Sequence, residues 1–393
     1  MITDIFHITD WILLGSLLAV FIAQVYWYSR YLAAPARRFR KGQQTQASPQ
    51  PTANSEGVSV LLCAHNEHYN LENYLQALLT QDYPLYEVIV VDDGSEDNTR
   101  EVVERYMATD TRIHITFVPY GARVRSTKKL GLTLAAKAAQ YDYLLLTDAD
   151  CVPASNHWIS EMMNGFNEPN IDIVLGYGAY FETKGHVNRL VRFDTLFNGL
   201  HYLGAALCKH PYMGVGRNLA YRKSLFFESG GFTHQMSTRA GDDDLFINHT
   251  ATQNNTAVVL SPDSFTWSPA KQTFKEWWQQ KRRHVSVSPA YRSATKFRLS
   301  VEPLTRGLFY ALTICAAVYY WPINYQLAII NYPLLIVFGL FLIRWILQTA
   351  IINTSARRMG LRPFSMMTVL WFDIVLPLVN LWMLAVPKKQ TKW

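Results

Sequence analysis

The sequence predicts an α/β domain built on a mostly parallel sheet and flanked at both ends by transmembrane helices. Two observations carry this. Short apolar runs alternate with amphipathic ones from about residue 57 onwards, and the charge-free stretches pool at the two ends of the chain. A third observation bears on function: acidic or amide side chains follow directly on three of the apolar runs.

Residues 58–62 (VSVLL) read as a buried strand that runs into Cys63-Ala64-His65-Asn66-Glu67. Leu71, Leu75 and Leu78 have helical spacing within 70–79. Residues 86–91 make a second strand, ending at Asp92-Asp93-Gly94-Ser95, and 97–107 a helix. A third strand over 113–118, a helix over 128–139 and a fourth strand over 143–146 continue the alternation. Continuously apolar strands separated by helices belong to a parallel, Rossmann-like sheet covered on both faces. Ligands of such sheets bind at the carboxyl ends of the strands. Asn66-Glu67, Asp92-Asp93 and Asp148-Ala149-Asp150 all fall there, so one rim collects them.

Hydrophobic residues make up 49% of the 393, and they are segregated. Residues 11–28 carry no charge and are long enough to cross a bilayer core. Residues 307–343 are again uncharged, with a break at Pro322-Ile323-Asn324, and 364–387 are interrupted only by Asp373. These features predict an N-terminal transmembrane anchor (1–31), a basic linker (32–56), a globular domain (57–298) and a C-terminal membrane domain (299–393). The last holds about three hydrophobic segments, near 305–323, 326–348 and 365–387. Asp4 and Asp10 precede the first block, which argues for a retained anchor and against a cleaved signal. Arg30, Arg37, Arg38, Arg40 and Lys41 place the following domain on the cytoplasmic side. Lys388, Lys389 and Lys392 then conflict with three crossings, so the last segment, holding Asp373 and Pro377, either crosses or is re-entrant. Phe193, Leu196, Phe197 and Leu200 give 180–209 a helical stripe that suits either a bilayer surface or a core.

The net charge of +7 fits anionic headgroups or an anionic substrate. No basic helix or aromatic-basic strand points to nucleic acid. Cys63, Cys151, Cys208 and Cys315 lack paired spacing, which points to a reducing compartment. The rim itself is acidic, and no Gly-rich phosphate loop or Walker lysine accompanies it. Asp148 and Asp150 repel one another unless something positive joins them, so a phosphorylated ligand here calls for Mg2+ or Mn2+ as a bridge.

The series VSVLLCAHNE, VIVVDDGSEDNT, LLLTDADCVP, GVGRNLAYRK, GDDDLF and QQKRRH resembles the membrane-bound members of glycosyltransferase family 2 over roughly residues 57 to 290. The resemblance implies an A-type glycosyltransferase fold, a nucleotide-diphosphate sugar (a UDP-sugar first of all) and inversion at the anomeric carbon. By position it assigns Cys63, His65 and Glu67 to the loop over the nucleotide and Asp93 to the base. Lys128 matches a lysine before the metal motif, with Lys129 as its rival in register. It assigns Asp148 and Asp150 to the metal, and Arg217 and Asn218 to the acceptor side. The catalytic base is Asp242 if the match is anchored on Leu245, the favoured alignment, or Asp243 if anchored on Gly241; Asp244 is left to capping. Gln280 and Arg283 fall on the diphosphate, and His284 stands where the family has Trp, by the acceptor.

One anchor before and about three segments after the catalytic domain also resemble ceramide glucosyltransferases, which implies a membrane lipid or lipid-carrier acceptor. The alternatives are a processive polysaccharide synthase acting as an oligomer and a non-catalytic nucleotide-sugar-binding membrane protein. The expected location is the bacterial inner membrane, as a multi-pass protein with a cytoplasmic catalytic domain.

Overall fold

A computed structural model describes residues 8–45, 56–321 and 332–385, apart from positions 120, 123, 237 and 239. The N-terminal apolar run forms α1 (Ile8–Trp27), which continues through one π-helical turn, Tyr28–Leu32. Helix α2 (Ala34–Thr45) follows at once, so the first part of the expected linker is helical; 46–55 lie outside the described residues.

The sheet then builds as its apolar rhythm dictates: β1 (Val58–Ala64), α3 (His68–Leu79), β2 (Tyr86–Asp92), α4 (Thr99–Met107), β3 (Ile113–Phe117), α5 (Thr127–Ala138) and β4 (Tyr143–Leu146). Shorter elements follow: β5 (Val152–Pro153), α6 (Trp158–Met163), β6 (Ile173–Leu175), β7 (Gly178–Tyr180), the long α7 (His186–Leu207), β8 (Leu219–Arg222), α8 (Lys223–Glu228), α9 (Asp244–Thr250), β9 (Thr256–Val258), β10 (Thr266–Ser268) and α10 (Phe274–Val285). The chain ends in α11 (Ser293–Tyr319), α12 (Tyr332–Arg358) and α13 (Met366–Ala385).

Seven strands pair in the order β3-β2-β1-β4-β8-β6-β9, and β5-β10-β7 form a small second sheet. Only β8 runs antiparallel to its neighbours in the large sheet, so that sheet is mostly parallel. Period-two alternation divides the core. On β1, Leu61 faces a cluster with α5 and α7, while Val60 and Leu62 face α3, α4 and α6.

Helix α7 resolves one open expectation. Phe193, Leu196, Phe197 and Leu200 are all buried, because α7 is sandwiched between β7 and a layer formed by the π-turn and helices α2, α12 and α13. The approach is close: a Cβ at Gly204 would stand 2.1 Å from the carbonyl oxygen of Tyr31. It is a core helix, not one resting on a bilayer.

Among the described residues, four helices are long and apolar enough to cross a membrane: α1 with its π-turn, α11, α12 and α13. Two boundaries differ from expectation. Helix α11 starts at Ser293, so the division at 298/299 falls inside it, and α12 runs on to Arg358. Glu302, Arg306 and Arg344 form ion pairs inside the bundle, and the helices continue through them. Asp373 and Pro377 do not interrupt α13, which is one continuous helix with Asp373 buried. The break at 322–324 and Lys388, Lys389 and Lys392 lie outside the described residues.

Candidate active site

Strand β4 delivers the two central acids. Thr147 extends the ladder by one bond, its N–H donating to the Leu61 carbonyl (3.1 Å), and the chain then turns, with Cys151 N–H donating to the Asp148 carbonyl (3.0 Å). This turn brings ligand atoms of Asp148, Asp150 and Cys151 within 4.8 Å of one another.

The positive group beside them is Lys128. Its Nζ lies 2.8 Å from Asp148 Oδ1 and 3.3 Å from Asp242 Oδ2. Burial pulls the ammonium down, but Asp148 and Asp242 outweigh it and its pKa is raised well above the usual value. Burial likewise pushes Asp148 up, while Lys128, Arg217 and Arg283 hold its carboxyl below the usual range. Lys129, the rival in register, faces the other way. Its buried Nζ donates to the carbonyls of Gln235, Thr238 and Ala240 and to the Thr238 hydroxyl, and so ties down the loop that leads to Gly241.

That loop presents three acids with separate roles. Asp243 caps α9 through the Asp244 N–H and also accepts from the Gly216 N–H, both at 2.8 Å. Asp244 is buried; it accepts from the Leu245 N–H and the Tyr291 hydroxyl. Burial and the neighbouring Asp243 push its carboxyl up to about 8. Asp242 pairs with Lys128 at the cleft, and among the described residues no backbone N–H donates to it. The loop therefore leaves Asp242 as the acid open to chemistry.

The β1 and β2 tips close one side. His65 Nδ1 lies 2.8 Å from the Asp93 carbonyl, and Asp93 Oδ2 accepts from the Thr127 hydroxyl at 2.7 Å. Burial raises the Asp93 and Glu67 carboxyls. Burial also raises the Cys63 thiol, which lies within the field of Lys128, Asp93, Asp242 and Asp148 at once. Cys63 is therefore a neutral wall of the cleft.

The small sheet closes the other side. Arg217 lies over the Tyr180 ring (4.2 Å) and donates to the Gly178 carbonyl (3.1 Å) and Ser268 Oγ (2.9 Å). Gln280 Nε2 donates to the Tyr180 hydroxyl at 3.0 Å, and His284 is exposed on the same helix. Tyr180 and Ser268 belong to no motif, and nothing in the sequence marks them. Asn218 does not line the cleft. It is fully buried, accepts from Trp158 Nε1 and donates to the carbonyls of Tyr177 and Ser264. Its work is structural, joining three distant segments.

The donor set fits a hard divalent cation. Lys128 compensates Asp148 but not Asp150, whose carboxyl is raised by burial and by the Asp148 charge. Among the described residues the partner of Asp150 is a weak one, the Cys151 thiol at 3.4 Å. Burial keeps that thiol protonated, which leaves carboxylate oxygens as the ligands.

Residues 59–230 match the model of glycosyl transferase family 2. They are a family 2 glycosyltransferase domain. Within this glycosyltransferase domain lie Cys63, His65, Glu67, Asp93, Lys128, Asp148, Asp150 and Arg217; the fold returns Asp242 and Arg283, from beyond it, to the same acids. Glycosyltransferase GlyG of Streptococcus pneumoniae is 29% identical over 133 residues, 34% of this chain and 42% of that protein. Poly-beta-1,6-N-acetyl-D-glucosamine synthase of Staphylococcus aureus is 28% identical over 235 residues, 58% of this chain and 53% of that protein. The chain thus spans about half the length of these relatives. The solved mannosyltransferase PcManGT of Pyrobaculum calidifontis, in complex with GDP-Man and Mn2+, superposes with a TM-score of 0.52 at 18% identity, covering 91% of this chain and 99% of that one. The likeness confirms the A-type glycosyltransferase fold.

Proposed function

We propose that the protein transfers a sugar, with inversion, from a nucleotide-diphosphate sugar to a membrane-associated acceptor, a lipid or lipid carrier. The observation that carries this is one cleft in which Asp148, Asp150, Lys128, Asp242 and Arg217 meet at the carboxyl ends of parallel strands. Asp148 and Asp150 would hold Mg2+ or Mn2+, which supplies Lewis-acid stabilisation of the leaving diphosphate. The fold neighbour solved with GDP-Man and Mn2+ supports a divalent ion and a nucleotide sugar; a UDP-sugar remains the donor expected from the motifs.

The acceptor hydroxyl gives its proton to Asp242, and its oxygen bonds to the anomeric carbon. The bond from that carbon to the diphosphate oxygen breaks, and the electron pair leaves on the diphosphate. General-base assistance of this kind is worth about 10²–10⁴-fold. Lys128 and Arg283 offset the charge that builds on the diphosphate, which is the larger burden. Cys63, His65, Glu67 and Asp93 hold the nucleoside, Gln280 orients Tyr180 and Arg217, and His284 stands at the acceptor end.

A processive polysaccharide synthase is the second reading, favoured by the name of the Staphylococcus aureus relative. Against it, Leu17, Phe309, Ala316 and Val337 pack α1, α11 and α12 directly against one another, so one copy offers a lipid-facing site more readily than a conduit. The chain is read as a multi-pass protein of the bacterial inner membrane with its catalytic domain in the cytoplasm. Incubating membranes with labelled UDP- and GDP-sugars tests the proposal. Label in extractable lipid supports it, a high-mass aqueous product favours the synthase, and no transfer from any donor overturns both.

A further inference from the structure

Lys281 stands inside QQKRRH but points away from the cleft. Its Nζ donates to both oxygens of Asp194, at 2.6 and 2.9 Å, and the two side chains are only 7% and 12% exposed. Asp194 belongs to α7, so this ion pair joins α10 to the buried core helix. Besides Lys281, helix α10 buries only Trp277; it is closed at its start by a capping box between Thr273 and Glu276 and touches α13 through Trp278 and Trp382 (4.9 Å). On α10, Gln280 and Arg283 are three residues apart and share a face, while Lys281 projects about 100° away from Gln280. Gln280 holds the Tyr180 hydroxyl, and Arg283 lies within electrostatic reach of Asp148.

Helix α7 is itself well fixed. Phe193 stacks edge-on against Phe364 (5.3 Å), and Arg306 of the membrane bundle lies over Phe197 (5.5 Å). A buried ion pair adds little net stability over a hydrophobic pair of the same volume, because both charges are taken out of water. What it specifies is geometry, here the rotation of α10 on α7.

We propose that Asp194 and Lys281 are positioning residues that set Gln280 and Arg283 at the diphosphate end of the donor site. This rests on the nucleotide-sugar reading above. The pair touches no substrate; it acts through the helix that carries Arg283, which meets the diphosphate, and Gln280, which holds Tyr180, and it makes donor binding depend on how α10 is seated on α7.

The test is nucleotide affinity of the purified full chain in detergent micelles with Mn2+, measured with UDP and UMP and with GDP and GMP. A nucleoside monophosphate lacks the outer phosphate that Arg283 would meet. In Lys281→Met and Asp194→Asn the diphosphate Kd should rise about tenfold while the monophosphate Kd stays within about twofold. Lys281→Arg, which keeps the charge, should restore most of the difference. Should the single variants fail to fold, Asp194→Leu with Lys281→Met fills the site without charge, and the same selective loss is expected. Equal weakening of diphosphate and monophosphate would reduce the pair to general structure, and no weakening would remove it from the site. If the unaltered chain binds neither diphosphate, the fault lies in the nucleotide-sugar reading itself.

Discussion

The Lys128 ammonium stands 2.8 Å from Asp148 Oδ1, while its neighbour Lys129 is turned into the protein, where it holds three loop carbonyls. Two adjacent lysines on one helix thus serve different ends. Lys128 is 39% exposed at the cleft mouth, whereas Lys129 is fully buried.

Lys128→Met should lower kcat/KM for the donor about 100-fold, roughly 2.7 kcal/mol of transition-state stabilisation, with little change in melting temperature. Lys129→Met should do the reverse. It strips the charged donor from the 235–240 loop and should destabilise the fold by about 3 kcal/mol. Thermal unfolding and initial rates on both variants check this; a Lys128→Met protein of normal activity would remove that lysine from the site.

Asp242 and Asp243 separate in the same way. Asp242→Asn should cost about 10²–10⁴-fold in kcat with the fold intact. Asp243→Asn keeps an oxygen for only one of the Asp244 and Gly216 N–H groups and turns an amide NH2 on the other, so its first effect should be a stability loss of about 2 kcal/mol. If Asp243→Asn stops turnover while Asp242→Asn leaves it untouched, the base has been assigned to the wrong residue.

Much of this was legible in the sequence where one physical rule dominates. Strands β1, β2 and β4 are mainly apolar runs buried on both faces, and nothing competes with that reading; the edge strand β3 (IHITF) is only partly buried and reads as a strand from its β-branched residues. The later strands, β5 to β10, are two to four residues long. They exist because they pair, not because their local pattern asks for it. The choice between Lys128 and Lys129 depends on how α5 is rotated against β1 and β2, which no motif records. Asn218 misled because its neighbour Arg217 does face the acids; an amide beside a site residue reads the same whether it points outward or, as here, to Trp158, Tyr177 and Ser264. The membrane helices were misplaced at their ends for a related reason. Polar and charged residues beyond the apolar runs, such as Glu302 before one and Arg357 after another, do not show from the sequence alone that the helix continues through them.

The charges inside the bundle give a further prediction. Asp373 accepts from Arg306 Nη1 (2.9 Å), Arg344 Nη1 (2.8 Å), the Tyr310 hydroxyl (2.6 Å) and Gln348 Nε2 (2.6 Å), which ties α13 to α11 and α12. Arg306 also meets Glu302, and Arg344 the Tyr28 hydroxyl of the first span. Asp373→Leu leaves the Arg344 guanidinium without its carboxylate and should cost about 3–5 kcal/mol. Unfolding in detergent micelles should show the loss, and a variant that melts like the parent would mean the network is not what joins the helices.

Metal dependence has a clean readout, because little of the fold rests on Asp150. EDTA should stop sugar transfer, and added Mn2+ or Mg2+ should restore it, with the melting temperature moving by less than about 3 °C. Asp150→Ala should be inactive at any concentration of either ion. Transfer that persists in that variant would refute the assignment of Asp150 as a ligand.

Asp244 sets the alkaline limit of stability. Its carboxyl is pushed up to about 8 by burial and by Asp243, with Asp242 adding to the effect. Lys129, on the far side of the loop, lies within its field, and the Tyr291 hydroxyl is its hydrogen-bond partner. A folded-state pKa above the unfolded one means that the neutral acid is the form the fold prefers. The stabilising contribution is therefore complete below the unfolded carboxylate pKa of about 3.9 and is lost progressively until pH passes about 8. Melting temperature should fall between pH 5 and pH 8 for the parent chain. Asp244→Asn, which carries no titratable proton, should flatten that slope and melt higher than the parent at pH 8. A parent and variant with parallel profiles would place the Asp244 carboxylate in an environment that tolerates its charge.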